Sequence, residues 1–375
     1  MKIIYVENVR VPSERAHAYQ ISQTCAWFAR LGHDVTLVNP DRAGGKDIFT
    51  EYGLEPGLLK HVTLRIIDPL SWDWFPLKKI AYALQRYFFV RKLRSWARIQ
   101  TADIWYTRDP AMIDALKDVQ VARWALELHD APDANSARWD RIKGSVAVYI
   151  AISRGLVDWL KKKGIDAALA PDGFDPKEIE SLKTREEARK ILGLPEDAFI
   201  AIYTGTFYPW KGVDLVARAW AKTPSSAHLV LIGGPESDLK RIEQCIDPMV
   251  SSRVHLFSMM PRRDAISILS AADIGLLTTS PNYAIGREFT SPLKQFEYLA
   301  ACLPLLATEV PSSHEVLDND VAKFFNYTED DFAVKIIEII NDSSWREAAA
   351  SFAKNRASEY TWEARSKRIL DVLQI

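Results

Sequence analysis

The segment Phe289-Thr-Ser-Pro-Leu-Lys-Gln-Phe-Glu297-Tyr-Leu-Ala-Ala-Cys-Leu-Pro304 combines a helix start with groups that can hold an anion. Ser291 suits an N-cap and Pro292 the first helical position. The pattern predicts a helix whose free N–H groups and positive dipole end, near Ser291–Leu293, face a ligand. Lys294 adds a cation in the first turn. Glu297 lies about one and a half turns further in, within reach of a hydroxyl on the same ligand. A half-exposed surface glutamate is the plain alternative. A second segment, Tyr203-Thr-Gly-Thr-Phe-Tyr-Pro-Trp-Lys211-Gly-Val-Asp214, reads as a strand ending at Gly205, a loop through Thr206, and a helix from about Gly212. Lys211 can neutralise a phosphate as a point charge; a solvated lysine before a helix is the alternative. His129 follows Glu127-Leu at the end of an apolar run, where an imidazole can bond a hydroxyl or move protons near neutral pH. A satisfied structural histidine is the alternative.

These groups need rigid elements behind them. Short apolar runs occur at 3–6, 35–38, 64–67, 104–106, 125–128 and 146–152, and a second series at 199–203, 228–232, 254–257, 274–277 and 305–307. Helical stretches such as 16–31, 154–163, 213–222 and 237–245 separate most of them. The alternation predicts an α/β protein with parallel sheets covered by helices. At 375 residues, two domains are expected. The turn cluster Pro171-Asp-Gly-Phe-Asp-Pro176 and the charged run 183–190 set the seam. The expected division is 1–175, 176–358 and a terminal helical segment, 359–375. A hydrophobic content of 48% with 26% charged residues is that of a globular protein. The net charge of −1 argues against nucleic-acid binding. Cys25, Cys245 and Cys302 are widely spaced and odd in number, which fits a reducing, cytoplasmic compartment rather than a disulfide framework. Residues 1–6 read as a strand, not a signal peptide. No run reaches the ~18 apolar residues of a membrane span.

With its Ser-Pro-Leu-Lys helix start and Glu297, the 289–304 segment resembles the nucleotide-sugar signature of family 4 glycosyltransferases. Those enzymes have the GT-B fold, two Rossmann-like domains facing across a cleft. The resemblance implies retaining transfer of a sugar from a nucleotide diphosphate sugar to a hydroxyl acceptor, glycan or lipid-linked, of the cell-surface polysaccharide type. It implies no cofactor beyond the donor and no bound metal. Lys211, Lys294 and the helix start at Ser291, Pro292 and Leu293 would hold the diphosphate, with Gly205 and Thr206 bordering it and Glu297 on the ribose. Backbone groups of the loop around Met260 would pair with the base, which leaves the base unspecified. His129 and Glu288 would attend the donor sugar. His17, in the loop 10–18, and Arg108 are acceptor-side candidates. For Arg108, an ion pair with Asp109 or Asp130 is an equal alternative. The resemblance also has the terminal helix pack back on the first domain.

The chain departs from the pattern twice. Thr206 stands where the family often has an arginine, so Arg287 or Lys294 must supply the second charge. Phe289 stands where a sugar-contacting glutamate is usual, with Glu288 one residue early. The alternatives are a nucleotide-sugar epimerase or hydrolase of the same fold, or a sugar-nucleotide-binding protein without turnover. Residues 72–98 are a separate feature. From Leu77 to Arg98 there are seven cations and no acid, interleaved with aromatics and preceded by Trp72, Trp74 and Phe75. Such a segment can bind an anionic membrane at the inner face or a lipid-phosphate acceptor, or it is a core helix with a wet basic face. Asp318-Asn-Asp320 reads as a turn, not a metal site.

Overall fold

The computed structural model describes residues 1–72, 77–119, 121–131 and 137–374. The chain forms two compact units. One comprises residues 1–152, 156–170 and 362–375; the other comprises 153–155 and 171–361.

The first unit is built on seven parallel strands: β1 (Lys2–Val6), β2 (Asp34–Pro40), β3 (Lys60–Leu64), β4 (Ile104–Thr107), β5 (Trp124–Leu128), β6 (Val146–Ala151) and β7 (Ala168–Leu169). Their order is β3-β2-β1-β4-β5-β6-β7. The third strand therefore lies at 60–64, not at 64–67. It pairs with β2 from Thr36↔Lys60 to Pro40↔Leu64. Its sequence, Lys-His-Val-Thr-Leu, is an edge strand with exposed positions and lacks a continuous apolar run. The helices used below are α1 (Ala16–Arg30), α2 (Lys78–Ala97), α3 (Pro110–Ala115) and α4 (Ala137–Ile142).

The second unit has six parallel strands: β8 (Phe199–Thr204), β9 (Ala227–Ile232), β10 (Val254–Phe257), β11 (Ile274–Leu277), β12 (Leu305–Thr308) and β13 (Ala322–Phe325). Their order, β10-β9-β8-β11-β12-β13, is the doubly wound order of a Rossmann sheet. The inner strands β8, β9, β11 and β12 are buried on both faces, which is why they read as apolar runs. Along β8, Ile200 and Ile202 enter one core with Phe296 and Leu299. Ala201 and Tyr203 enter the other with Val216 and Trp220, as a period of two requires. Phe296 and Leu299 belong to α5 (Leu293–Ala300). The chain then returns to the first unit as α6 (Trp362–Leu373), which packs on α1. There Trp362 meets Tyr19 edge-on with ring centroids 6.0 Å apart, and Ile369 and Leu373 join the core of β1 and β4.

In each sheet the order reverses beside the first strand, β1 or β8. The carboxyl ends of strands at such switch points are where open α/β sheets bind ligands.

Candidate functional site

In the second unit, β8 ends in Thr204 and Gly205. Gly205 has φ +120°, and a Cβ there would meet Lys294 Nζ at 3.3 Å. The loop continues through Thr206, whose carbonyl accepts the Tyr203 hydroxyl at 2.8 Å. A single turn, Pro209–Lys211, follows and ends at Gly212. Gly212 has φ +70°, and a Cβ would lie 1.9 Å from the Thr278 carbonyl, so only glycine lets this loop dock on the end of β11. The dock is closed by the Thr278 hydroxyl donating to the Lys211 carbonyl at 2.7 Å.

Two lysines meet here with no carboxylate hydrogen bond among the described residues. Lys211 Nζ lies over the Trp210 ring, 3.7 Å from its centroid. Lys294 Nζ lies over Tyr203, 3.2 Å from its centroid, and has no hydrogen-bond partner among the described residues. The Lys294 residue is only 8% exposed. Burial lowers Lys211 to about 7. Burial and the charge on Lys211 push Lys294 well below the usual lysine range, against a small opposing pull from Glu297. Two destabilised cations beside one another, each set over a π face, form a site that an anion completes.

The start of α5 differs from the expected cap. The helix begins at Leu293, with Pro292 as N-cap residue and no side chain capping it. The Ser291 hydroxyl instead accepts the Asp172 backbone N–H at 3.0 Å. Proline at 292 offers no side-chain acceptor, and Ser291 is drawn to the neighbouring backbone. The first-turn N–H groups thus keep no side-chain cap, which favours the anion site rather than removing it.

Glu297 is 7% exposed, not half-exposed. Its Oε1 is 2.6 Å from Arg262 Nη1, though off the hydrogen-bond line. Arg262 also forks onto Glu178 at 3.1 and 3.2 Å. The local pattern around Glu297 does not disclose this partner, since Arg262 comes from a distant segment. Glu288 sits in a turn of π-helix, Ile285–Phe289, a geometry common at functional sites. Its carboxylate pairs with Arg287 at 2.8 Å, and its carbonyl accepts the Ser153 hydroxyl at 3.1 Å. Arg287 is further held by the Pro281 carbonyl at 2.8 Å. Lys294, not Arg287, is therefore the second cation beside Lys211. Met260 lies in the loop after β10, and its N–H finds no acceptor among the described residues.

In the first unit the carboxyl ends of β1, β4 and β5 bring together a buried polar network. Glu127 accepts from Arg365 Nη2 at 2.7 Å, from His129 Nε2 and from the Tyr106 hydroxyl. Burial alone would raise its carboxyl, but Arg365 and His129 hold it well below the usual carboxylate range. With Glu127 already matched by Arg365, burial and the charge on Arg108 keep His129 neutral, lowered to about 3. Nε2 carries the proton toward Glu127, so Nδ1 is left as an acceptor. Arg365 comes from α6 and also donates to Thr24 at 3.1 Å. Glu7, 3% exposed at the end of β1, accepts the Arg108 N–H and the Thr107 hydroxyl. Burial and Asp109 raise it to about 8. Arg108 Nη1 donates to Gln20 at 3.1 Å and to the His17 carbonyl at 3.5 Å. It has no ion pair with Asp109 or Asp130 among the described residues. His17 is lowered to about 4 by burial and by Arg108. Asp318 pairs with Arg356.

Sequence reading missed Glu7, Tyr106, Gln20 and Arg365 as members of this network. The signal for Arg365 was present: it is a cation on the apolar stripe Trp362, Arg365, Ser366, Ile369, Leu373, which demands a buried partner.

Residues 184–357 match the family described as Glycosyl transferases group 1. The match lies within the second unit. Over 340 residues it is 29% identical to the putative teichuronic acid biosynthesis glycosyltransferase TuaC of Bacillus subtilis, covering 83% of this chain and 81% of that protein. It is 24% identical to the D-inositol 3-phosphate glycosyltransferase of Saccharomonospora viridis, over 94% and 87% of the two chains. Among solved structures, sucrose-phosphate synthase from Thermosynechococcus elongatus superposes with a TM-score of 0.78 at 16% identity, covering 100% of this chain and 98% of that one. HepE from Anabaena, in complex with UDP and glucose, gives 0.77 at 16% identity, with 100% and 99% covered. The fold is GT-B, and the chain is a glycosyltransferase. No described helix is long and apolar enough to cross a membrane.

Proposed function

We propose that the chain transfers a sugar, with retention, from a nucleotide diphosphate sugar to a hydroxyl acceptor. The observation that carries this reading is the pairing of half-buried Lys211 with buried Lys294 at the uncapped start of α5. A departing diphosphate gains negative charge as the glycosidic bond breaks. Cations and N–H dipoles already fixed where that charge develops lower the barrier without reorganisation. The reading assigns this charge to the lysines rather than to a metal or cofactor. Glu297, backed by Arg262, takes a ribose hydroxyl, and the free Met260 backbone meets the base edge. Gly205 and Thr206 border the phosphates. Glu288 is the donor-sugar carboxylate in place of Phe289. His129 offers Nδ1 to a sugar hydroxyl; its low basicity makes it a positioning acceptor, not a base. The phosphate oxygen released from the donor takes the acceptor proton. His17 and Arg108 remain acceptor-side groups. The relative named for teichuronic acid biosynthesis supports an acceptor of the cell-surface polysaccharide type, glycan or lipid-linked.

The test is incubation with a panel of nucleotide sugars, with and without glycan and lipid-linked acceptors. Nucleoside diphosphate release is followed, and the product anomer is read by proton NMR. Acceptor-dependent release with the donor's anomeric configuration kept is expected. Release to water alone would favour a hydrolase, and an inverted product would overturn retention.

A further inference from the structure

Helix α2 carries six cations and no acid in its 20 residues. Its buried stripe, Ala81, Gln85, Phe89, Leu93 and Ala97, fixes which face is inside. Gln85 exchanges hydrogen bonds with Asn8 at 2.9 and 3.3 Å, so the helix is locked in rotation and not free to roll. The stripe at 83, 86, 87, 90 and 94 follows helical spacing and lines one wall of a groove of about 580 Å³. The other wall comes from α3 and the residues after it, with Arg141 of α4 at the rim.

The charges in this groove are not balanced. Arg141 is forked onto Asp114 at 3.0 and 2.9 Å. Arg94 donates to the Ala115 carbonyl at 2.7 Å and lies 3.7 Å from Asp118. So one of the seven cations between Leu77 and Arg98 does have a counter-charge, supplied from outside the segment. Arg86 and Lys117 line the same groove with no ion pair among the described residues. Beside it, the first turns of α2 and the residues before them expose apolar side chains: Leu77 is 55% exposed, Ile80 48%, Tyr82 46% and Trp72 37%. Tyr87, on the groove wall, is 60% exposed. Trp74 and Phe75 lie outside the described residues. A cationic recess next to exposed aromatic and aliphatic groups is unusual on a chain whose net charge is −1.

We infer that this groove seats the phosphate head group of an anionic phospholipid, with Arg86 and Lys117 as its ligands and the Leu77–Tyr82 turn set against the acyl boundary. The exposed apolar groups decide for a lipid over a soluble phosphate, because only a bilayer offers both chemistries side by side. The cations at 91, 92 and 98 face outward from the same helix and would lie along the charged surface. The inference extends the acceptor part of the proposed function, placing the enzyme where a lipid-linked or surface glycan is made, and rests on that reading only in this respect.

The experiment is co-sedimentation of the full chain with phosphatidylcholine vesicles and with vesicles containing phosphatidylglycerol. Wild type should bind the anionic vesicles and leave the neutral ones largely free, with partial loss on adding salt. A basic residue at an anionic surface contributes about fivefold in partition. Arg86→Gln with Lys117→Gln should therefore lower binding about 25-fold, and Arg86→Glu with Lys117→Glu further. Both variants should melt as wild type does, and their melting shift with nucleotide sugar should be unchanged. That readout keeps this inference separate from the donor site. Equal binding to both vesicles, or wild-type binding by the glutamine pair, would overturn it. Displacement by soluble glycerol phosphate at the lipid phosphate concentration would assign the groove to a free phosphate and overturn the lipid source.

Discussion

Replacing Lys294 by methionine separates the two roles a buried cation can have. Methionine keeps most of the length and flexibility of the side chain and removes the charge. In the free protein, Lys294 Nζ is buried over Tyr203 without a hydrogen-bond partner among the described residues, and Lys211 repels it. An unsatisfied buried polar group costs about 1–3 kcal/mol, more if charged. Lys294→Met should therefore raise the melting temperature of the ligand-free protein, by roughly 2–4 °C per kcal/mol at this size. The same change removes a charge-assisted contact to the diphosphate, worth about 1.5–3 kcal/mol, or about 10- to 150-fold in affinity. Differential scanning calorimetry without ligand and isothermal titration with UDP give the two numbers. Greater stability with weaker binding is the expected pair. A variant that melts lower and binds UDP as wild type does would refute the reasoning, because Lys294 would then be a structural cation.

Three further outcomes follow from the same geometry. Lys211 has a value of about 7 in the free protein, and a bound diphosphate favours its charged form. Nucleotide-sugar affinity should fall as pH rises through that value, with proton uptake on binding, and Lys211→Met should bind more weakly and lose the part of this pH dependence that Lys211 supplies. Glu7, raised from 4.5 to about 8, binds a proton in the folded state that the unfolded chain has released. Its contribution is present at low pH and lost as pH rises through that window, on the order of 5 kcal/mol in all, so Glu7→Gln should melt above wild type at about pH 8 and converge with it near pH 5. Gly212→Ala forces a left-handed residue and a Cβ 1.9 Å from the Thr278 carbonyl. It should cost about 3 kcal/mol or more in chemical denaturation and weaken nucleotide binding through the displaced Lys211.

The strands with continuous apolar runs were legible because both faces of a parallel sheet are buried. The edge strand β3 and the short strands β7 and β13 were not, since their partly exposed residues carry no such run. The site was legible where local chemistry sets it: a lysine before Gly212, a Ser-Pro start, a histidine at a strand end. It was not legible where distant segments meet. Ser291 serves Asp172 rather than α5. Glu297 is buried against Arg262. Glu127 depends on Arg365, 238 positions away. Side-chain pairing across such separations is a property of the tertiary fold, and only a buried charge in an apolar stripe gives advance notice of it.

The central claim is that Lys211 and Lys294 at the start of α5 form the diphosphate site of a nucleotide-sugar donor. A thermal-shift screen of wild type and of the Lys211→Met, Lys294→Met double variant against UDP-, GDP- and ADP-sugars addresses it directly, since a ligand that binds only the native state raises the melting temperature. At least one nucleotide sugar should shift wild type, and the same compound should leave the double variant unmoved. An equal shift in both proteins, or no shift of wild type with any nucleotide sugar, would contradict the account.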